Sequence, residues 1–313
     1  MTTLIDVARR AGVSKSTVSN VIRGEALVAD ATRERVERAI ADTGYHPNAI
    51  ARALKVRSSK VIGIVVPDLT NLFYAELAVG VERAANALGF ALLAAHTDCS
   101  PATEDEAARA LIERRVDGVV IGGASLGSSL PKTLLDREIP VVLASFGEPD
   151  DPRLGVIDHD DQTAMEEIVD HLYKLGHRRI AFVSQHLREY SGERRRLGLA
   201  SALARRGLAP VVLDDGATAV VAHNDMHAIA TMDRLERRGL RVPQDVSVVG
   251  YDDVPLASHC RIKLTTVRSD AEEMGRRAVE LLLGAAREGR HVSHREMQSN
   301  PLVIRSTTQR PPL

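Results

Sequence analysis

The sequence has no tryptophan, two cysteines and only nine phenylalanines and tyrosines among 313 residues. Cys99 and Cys260 are far apart and form no CxxC pair. They therefore support neither a disulfide framework nor a structural zinc site, and we expect both to be small core residues. No apolar run reaches the roughly 20 residues that a membrane span needs, and the N-terminus lacks the apolar stretch of a signal peptide. We expect a cytoplasmic protein with no membrane partner.

The net charge of -1 conceals an uneven distribution. Residues 1–60 contain 11 Lys and Arg against 6 Asp and Glu, whereas the remaining residues contain 30 against 36. A basic N-terminal module on an acidic body is typical of proteins that bind nucleic acid. Small helical modules are also often basic on one face without such a role, so charge alone leaves both interpretations open.

Three short helical patterns open the chain. The first runs from Leu4 to Ala11, with Thr3 and Asp6 in the positions of a capping box. Ser14 can cap a second helix, and a third extends from about Ala31 to Thr43. Glycines are expected to end the three helices in turn: Gly12, Gly24 and Gly44.

Residues 48–55 follow Pro47 and are helical in propensity. Isolated helices shorter than about 12 residues are marginal in water. We therefore expect this segment to become ordered only when something binds it.

From Val61 onward, apolar runs of strand length alternate with amphipathic helices, which indicates parallel sheet covered by helices on both faces. About 250 residues is long for one such sheet, so we expect two subdomains with a ligand cleft at the carboxyl ends of the strands. The runs are Val61–Val66, Phe90–Ala95, Gly118–Ile121, Val141–Leu143, Ile180–Val183, Ala219–Ala222 and Val246–Gly250.

Five segments, in this order along the chain, carry a resemblance to a known family. They are LIDVARRAGVSKSTVSNVI at 4–22, AIARALK at 49–55, VIGIVVP at 61–67, AHND at 222–225 and VSVVGYDD at 246–253. The chain resembles the lactose-repressor and purine-repressor family of bacterial transcription regulators. The resemblance implies an α/β fold with a helix-turn-helix headpiece (1–47), a hinge helix and linker (48–60) and a two-lobed core like periplasmic binding proteins (61–313). Lobe one would span about 61–159 and 269–298, and lobe two about 160–268 and 299–313.

The resemblance places the second helix of the headpiece in the major groove of DNA. Lys15, Ser16 and Asn20 would then meet base edges, because Lys donates to guanine and Asn binds adenine. Ser14, Thr17 and Ser19 would contact phosphates. The alternative is that the hydroxyls only cap the helix and that Lys15 is merely solvated. Many relatives carry Arg or His where Asn20 stands, so the base that it prefers is left open.

The hinge segment carries a second DNA expectation from the resemblance. Leu54 matches the family's leucine that wedges between base steps from the minor groove, where it kinks the duplex. Arg52, Lys55 and Arg57 would lie near phosphates. The alternative is that Leu54 packs against the headpiece. The hinge helix is only marginally stable, so the conformation of the core could control whether it folds. Effector binding to the core would then be coupled to DNA binding.

The resemblance also supplies candidate effector contacts. Arg195, Asn224 and Asp252 carry over to the cleft, where a guanidinium, an amide and a carboxylate suit vicinal hydroxyls. The further candidates are Asp158 and the rings of Phe73, Tyr74 and Phe146. Next to these residues, we expect Asp225 to cap the helix that starts at Met226 and Asp253 to be structural.

One segment departs from the family. Relatives carry an additional helix between the runs Val211–Leu213 and Ala219–Ala222, where this chain has only residues 214–218. A parallel crossover needs about a dozen residues, and Asp215 with Gly216 is a hairpin signal. We expect the first run to leave the sheet or to pair antiparallel, and one wall of the effector pocket to be missing.

Together these features predict a repressor that binds a palindromic double-stranded operator as a homodimer and responds to a small-molecule effector, a sugar or sugar phosphate. A purine or nucleoside corepressor is the alternative, and whether the effector releases or promotes DNA binding stays open. The last residues lack a heptad tail, which argues for a dimer rather than a tetramer. An enzyme is disfavoured by the absence of GxGxxG, P-loop and GxSxG motifs, and a transport protein by the headpiece. No catalytic residue, metal or cofactor is expected.

Overall fold

The computed structural model describes residues 2–22, 28–45, 58–125, 127–145, 147, 149, 151–184, 190–288 and 291–312. The chain divides into two compact units, Met1–Ser59 and Lys60–Leu313. The hinge segment 48–55 and Gly24 lie outside the described residues.

The N-terminal unit contains three helices, α1 (Leu4–Ala11), α2 (Lys15–Ile22) and α3 (Asp30–Thr43). The predicted capping box of α1 is confirmed, because the Thr3 hydroxyl accepts from the amide of Asp6 and the Asp6 carboxylate accepts from the amide of Thr3. Left-handed glycines end α1 and α3, as predicted. The helices share one small core: Val7, Ala8, Ala11, Val18, Val21, Val36, Ala39 and Tyr45.

The C-terminal unit contains eleven strands among its described residues. They are β1 (Val61–Val66), β2 (Ala91–His96), β3 (Gly118–Gly122), β4 (Val141–Ala144), β5 (Gly155–His159), β6 (Ile180–Val183), β7 (Ala219–Ala222), β8 (Ser247–Val249), β9 (Thr266–Val267), β10 (His294–Gln298) and β11 (Leu302–Val303). The helices are α4 (Leu72–Ala87), α5 (Pro101–Glu113), α6 (Leu130–Leu135), α7 (Asp161–Leu175), α8 (Tyr190–Ala204), α9 (Asp225–Arg237) and α10 (Ala271–Glu288). Single 3₁₀ turns lie at Leu213–Asp215 and Pro255–Ser258.

Two parallel sheets organise this unit. The larger has the order β10-β5-β4-β3-β1-β2 and the smaller the order β6-β7-β8, while β9 and β11 form an antiparallel pair. Helices cover both faces of the larger sheet, with α4 and α10 on one side and α5 and α6 on the other. In the smaller sheet, α7 and α8 pack on one face and α9 on the other. The predicted alternation of parallel strands and helices is confirmed.

The prediction that both cysteines are core residues is wrong. Cys99 is half-buried and Cys260 is exposed, and neither forms a disulfide. Both lie in loops rather than in the apolar elements that build the core. Cys99 follows β2, and Cys260 follows the turn Pro255–Ser258.

Of the two alternatives predicted for the run Val211–Leu213, the structure shows neither at Val211, and only the residues after it leave the sheet. Val211 forms a single parallel bridge with Ala181 of β6, and a 3₁₀ turn at Leu213–Asp215 then leads the chain to the opposite side of β6. The hairpin prediction for Asp215 and Gly216 is wrong, because the residues beyond them pair parallel to β6 rather than antiparallel to the run before them. The left-handed backbone of Gly216 ends the 3₁₀ turn instead.

Helices α4 and α10 cross with their backbones nearly in contact. A Cβ atom on Gly80 would lie 2.0 Å from the carbonyl oxygen of Glu272, and one on Gly275 would lie 2.4 Å from that of Leu77. No side chain fits in this space, so the packing of the larger sheet's helical layer depends on these two glycines.

The Gly80→Ala substitution should therefore lower the free energy of unfolding by roughly 3 kcal/mol, since a backbone carbonyl cannot move aside as a side chain can. Gly284→Ala in the exposed part of α10 is the matched control, because a Cβ there meets nothing within 4 Å. It should stabilise the protein by about 0.5–1 kcal/mol through helix propensity. Urea unfolding followed by circular dichroism measures both. Equal stability of the two variants would contradict the close crossing.

Candidate functional site

The N-terminal end of α2 presents a polar, exposed surface. The Ser14 hydroxyl accepts from the amide of Thr17 at 3.0 Å and lies 2.7 Å from the hydroxyl of Ser16. Ser14, Lys15 and Ser16 are exposed, whereas Thr17, Ser19 and Asn20 are half-buried. Ser14 is thus the cap of α2, and its exposed neighbours point away from the small core.

A recess of about 420 Å³ lies between α2 and the start of α3. It is lined by Val13, Ser14, Thr17, Asn20, Val28, Ala29 and Thr32. Sequence reasoning did not single out Thr32, which belongs to the first turn of α3 rather than to the recognised motif. The predicted hinge residues Arg52, Leu54 and Lys55 lie outside the described residues.

In the C-terminal unit, Arg195 on α8 is 3% exposed and surrounded by acceptors. Its guanidinium donates to Asp161 at 3.2 Å and to the carbonyl of His223 at 2.8 Å, and it lies 3.6 Å from a carboxylate oxygen of Asp252. The Tyr251 ring stacks against it at 3.6 Å, and the Tyr251 hydroxyl donates to Asp161 at 2.7 Å. Burial alone would lower the pKa of Arg195, but the nearby carboxylates of Asp161 and Asp252 have the larger combined effect and raise it.

The backbone at Asp252 is strained, with a φ of +113°. Its amide donates to the carbonyl of Val267 at 2.8 Å, and its carbonyl accepts from the amide of Ser269 at 3.1 Å. Non-glycine residues rarely adopt such angles unless their surroundings impose them. These bonds hold the Asp252 carboxylate beside Arg195.

Arg194, which sequence reasoning did not single out, joins α8 to the end of β5. It forms an ion pair with Asp158 and donates to the carbonyl of His159 at 3.1 Å. Burial raises the pKa of Asp158 despite Arg194. The predicted contact Asp158 is therefore already paired with a cation from the other sheet's layer.

His159 is 1% exposed, and neither ring nitrogen has a hydrogen-bond partner among the described residues. Its ring centroid lies 6.0 Å from that of Phe73, which in turn meets Tyr74 edge to face at 5.2 Å. Burial, together with Arg195 and Arg194, lowers the pKa of His159 to about 4. Phe73 and Tyr74 are buried as well. The third predicted ring, Phe146, lies outside the described residues.

Asn224 does not meet Arg195 and Asp252 directly. Its side-chain oxygen caps α9 by accepting from the amide of His227 at 2.9 Å, and it lies 2.7 Å from the Nδ1 atom of the same histidine. It also lines an open cavity of about 260 Å³ whose wall includes Pro67, Asp68, Thr70, Asn71, Tyr74, Asp98, Cys99, Met226, His227 and Ala230. Of the three predicted polar contacts, Arg195 and Asp252 therefore lie beside each other, whereas Asn224 lines the cavity.

The prediction that Asp225 caps the helix is wrong, because Asn224 does so. Asp225 is fully buried and accepts from the hydroxyl of Thr266 at 2.5 Å and from the amide of Val254 at 2.9 Å. Burial raises its pKa to about 7. Asp253 accepts from Arg268 at 3.0 Å and from Arg305 at 2.5 Å, the structural role that was expected for it.

Three family models match the chain. Bacterial regulatory proteins of the lacI family match residues 3–48, periplasmic binding proteins and the sugar-binding domain of the LacI family match 59–215, and a periplasmic binding protein-like domain matches 169–308. The HTH-type transcriptional repressor PurR of Vibrio parahaemolyticus is 34% identical over 99% of both chains, and that of Vibrio campbellii is 32% identical over 99% of both. The chain belongs to the LacI family. It is a DNA-binding transcriptional repressor of that family.

Solved structures of LacI-family proteins share the fold. The lac repressor dimer bound to operator and the anti-inducer ONPF gives a TM-score of 0.88 at 28% identity, with 98% of this chain and 99% of that chain covered. The complex of the regulator CelR with cellobiose gives 0.70 at 29% identity, with 98% and 100% covered. The predicted α/β fold with a helix-turn-helix headpiece and a periplasmic-binding-like core is confirmed.

The LacI-family relatives are longer than this chain. The alignment with the Vibrio parahaemolyticus repressor spans 338 positions against 313 residues, so at least 25 positions have no counterpart here. That difference is about the length of one helix with its loops. Within the described ranges, no helix is long and apolar enough to cross a membrane, and no cluster of three His, Cys, Asp or Glu side chains could hold a metal ion.

The low pKa of His159 has a consequence for stability. Between pH 6.5 and 4 the unfolded chain protonates this histidine and the folded chain does not, so the wild type should lose about 1.4 kcal/mol of its unfolding free energy per pH unit on acidification. The His159→Asn variant lacks this loss. Urea unfolding of both proteins from pH 7 to 4 measures the difference between their unfolding free energies. Asp225 contributes in the opposite direction, but it is present in both proteins and so cancels in that difference. Parallel pH profiles would show that His159 is freely protonated in the fold.

Proposed function

We propose that this LacI-family repressor binds a palindromic operator as a homodimer and that a small molecule bound in its core, a sugar or sugar phosphate, changes its affinity for DNA. The observation that carries the DNA-binding half is the exposed row Ser14, Lys15 and Ser16 at the start of α2. Helix-turn-helix proteins insert this end of the second helix into the major groove. Ser14 is fixed by capping, so its neighbours project from a rigid helix end.

In this arrangement Lys15, Ser16 and Asn20 read bases, and the hydroxyls of Ser14, Thr17 and Ser19 contact phosphates and set the register. The recess between α2 and α3 adds the Thr32 hydroxyl to the same surface. In the hinge, Leu54 enters the minor groove while Arg52 and Lys55 neutralise phosphates, as the family resemblance implies.

The dimer has support from the larger sheet. Its last strand, β2, pairs on one side only among the strands that the structure describes, and its side chains are exposed or half-buried although they are mainly apolar. Unpaired apolar sheet edges of this kind are usually covered in the working assembly. The similar lac repressor structure is described as a dimer on its operator.

The effector half of the proposal is supported by the site. Lobe one (61–159 and 269–298) contributes Phe73, Tyr74 and Asp158, and lobe two (160–268 and 299–313) contributes Arg195, Asn224 and Asp252. Amide and carboxylate groups beside an aromatic ring suit the hydroxyls and apolar faces of a sugar. The similar regulator CelR was solved with cellobiose. The name PurR, which the curated relatives carry, favours a purine as the second candidate.

Selection of bound duplexes from a random DNA pool tests the DNA-binding half. The wild type should enrich a palindrome, and Asn20→Ala should lose preference at one base pair per half-site by roughly 10- to 100-fold, since a bidentate base contact contributes about 1–3 kcal/mol. Leu54→Ala should weaken binding at the centre of the site.

Lys132→Ala, an exposed lysine on α6 of the C-terminal unit, is the control for Lys15→Ala and should select the same palindrome as the wild type. Repeating the selection with sugars tests the response to an effector. Identical sequence preferences of the wild type, Lys15→Ala and Asn20→Ala would contradict the proposed mode of reading DNA.

A further inference from the structure

The open cavity beside Asn224 is assembled from three segment ends. The loop after β1 contributes Asp68, Thr70 and Asn71, the loop after β2 contributes Asp98, and the first turn of α9 closes the other side. Two carboxylates face the cavity, and its described lining includes neither lysine nor arginine. Its charge is therefore negative.

Asp98 differs from Asp68 in what its carboxylate does. The Asp68 carboxylate already accepts from the amide and the hydroxyl of Thr70, both at 2.7 Å. Among the described residues, the carboxylate of Asp98 has no hydrogen-bond or ion-pair partner, and the side chain is exposed. Asp98 is thus an acceptor available to a ligand.

The backbone holds Asp98 in place at some cost. Asp98 and Cys99 both have a φ of +49°, a left-handed conformation that non-glycine residues seldom adopt, least of all in succession. The amide of Asp98 donates to the carbonyl of Pro67 at 2.9 Å, which ties the loop to the end of β1. Strain of this kind is often kept where it positions a functional group.

Asn224 supplies a donor on the opposite wall. Its side-chain oxygen is used by His227, whereas its amide nitrogen has no partner among the described residues. A ligand hydroxyl can donate to the Asp98 carboxylate while another accepts from Asn224, with the Tyr74 ring beside them. Hydroxyl groups on a compact ring match this distribution of acceptor and donor.

Among the described residues, the two arginines of α8 that could meet a phosphate group are already paired. Arg195 is engaged by Asp161 and Asp252, and Arg194 by Asp158 and Asp161, so these two guanidinium groups are balanced by three carboxylates. Three amides at the start of α9 are already used, because that of Asp225 donates to the carbonyl of Tyr251 and those of His227 and Ala228 donate to the side chain and carbonyl of Asn224. Asp68 and Asp98 would repel an anionic ligand, and no lysine or arginine of the described lining offsets that repulsion.

We propose that the effector is an uncharged sugar held in this cavity, and that Asp98 selects it against its phosphate ester. The inference rests on the proposed function and narrows its ligand class. Asp98 accepts from a ring hydroxyl of the sugar, and its charge excludes the ester.

The test measures binding of matched pairs by calorimetry: D-glucose and glucose 6-phosphate, D-ribose and ribose 5-phosphate, D-fructose and fructose 6-phosphate. D-galactose, D-xylose, cellobiose, adenine and guanine complete the panel. At least one neutral sugar should bind the wild type at least tenfold more tightly than its phosphate ester and than the purines.

Asp98→Asn should weaken that sugar about tenfold and narrow the gap to the ester. Asparagine tolerates the left-handed backbone, so the variant should fold normally. The matched control is Asp105→Asn, an exposed residue of α5 that does not line the cavity, and it should bind like the wild type.

The inference is overturned if no neutral sugar binds, if an ester or a purine binds more tightly, or if Asp98→Asn binds like Asp105→Asn. Operator binding by the same preparations, measured by fluorescence anisotropy, separates this outcome from failure of the proposed function. A protein that binds its operator and responds to a purine would refute only the ligand class. A protein that binds no operator would refute the proposed function itself.

Discussion

The buried guanidinium of Arg195 is the constraint on which the rest of the site depends. Arginine does not lose its proton, so its burial requires acceptors at every side that water would otherwise occupy. The fold provides them from the start of α7, from the end of β7 and from the loop after β8. Those three segment ends cannot move independently without leaving a charge unpaired in the interior. The position of Asp252, strained backbone included, is therefore a consequence of where Arg195 lies.

The adjacent residues Asn224 and Asp225 show how the same local signal can have two outcomes. Either side chain can cap a helix, so the sequence alone gave no basis for choosing between them. The choice is made by Gly250, where a Cβ atom would lie 2.2 Å from a carboxylate oxygen of Asp225. The missing side chain there makes room for Asp225 to turn inward and meet Thr266. Asn224 then serves as the cap and lines the cavity.

Local patterns were sufficient to predict the helices of the headpiece and the buried central strands, because apolar runs and capping residues act over a few neighbours. They were insufficient for β10, whose sequence HREMQ has no apolar run. Among the described strands this edge strand pairs only with β5, and most of its side chains are exposed, so it does not need an apolar sequence. The pairing of β10 with β5 joins segments more than a hundred residues apart. The site was only partly predictable for the same reason. Arg194 and Asp98 acquire their roles from partners, or from a lack of partners, that only the folded chain defines.

The short segment between Val211 and β7 is held in place by charged side chains. Arg179 donates from Nε to the carbonyl of Gly216 at 2.9 Å, and Asp214 pairs with Arg234 of α9 at 2.9 Å, so the link is fastened at both ends by charged side chains. These contacts lie on the surface and hold the 3₁₀ turn between α8 and β7 in place. The cavity that we propose as the effector site is built elsewhere, by the loops after β1 and β2 and by the first turn of α9. Its described lining has two acidic residues and neither lysine nor arginine, so under this proposal charge decides which ligands bind.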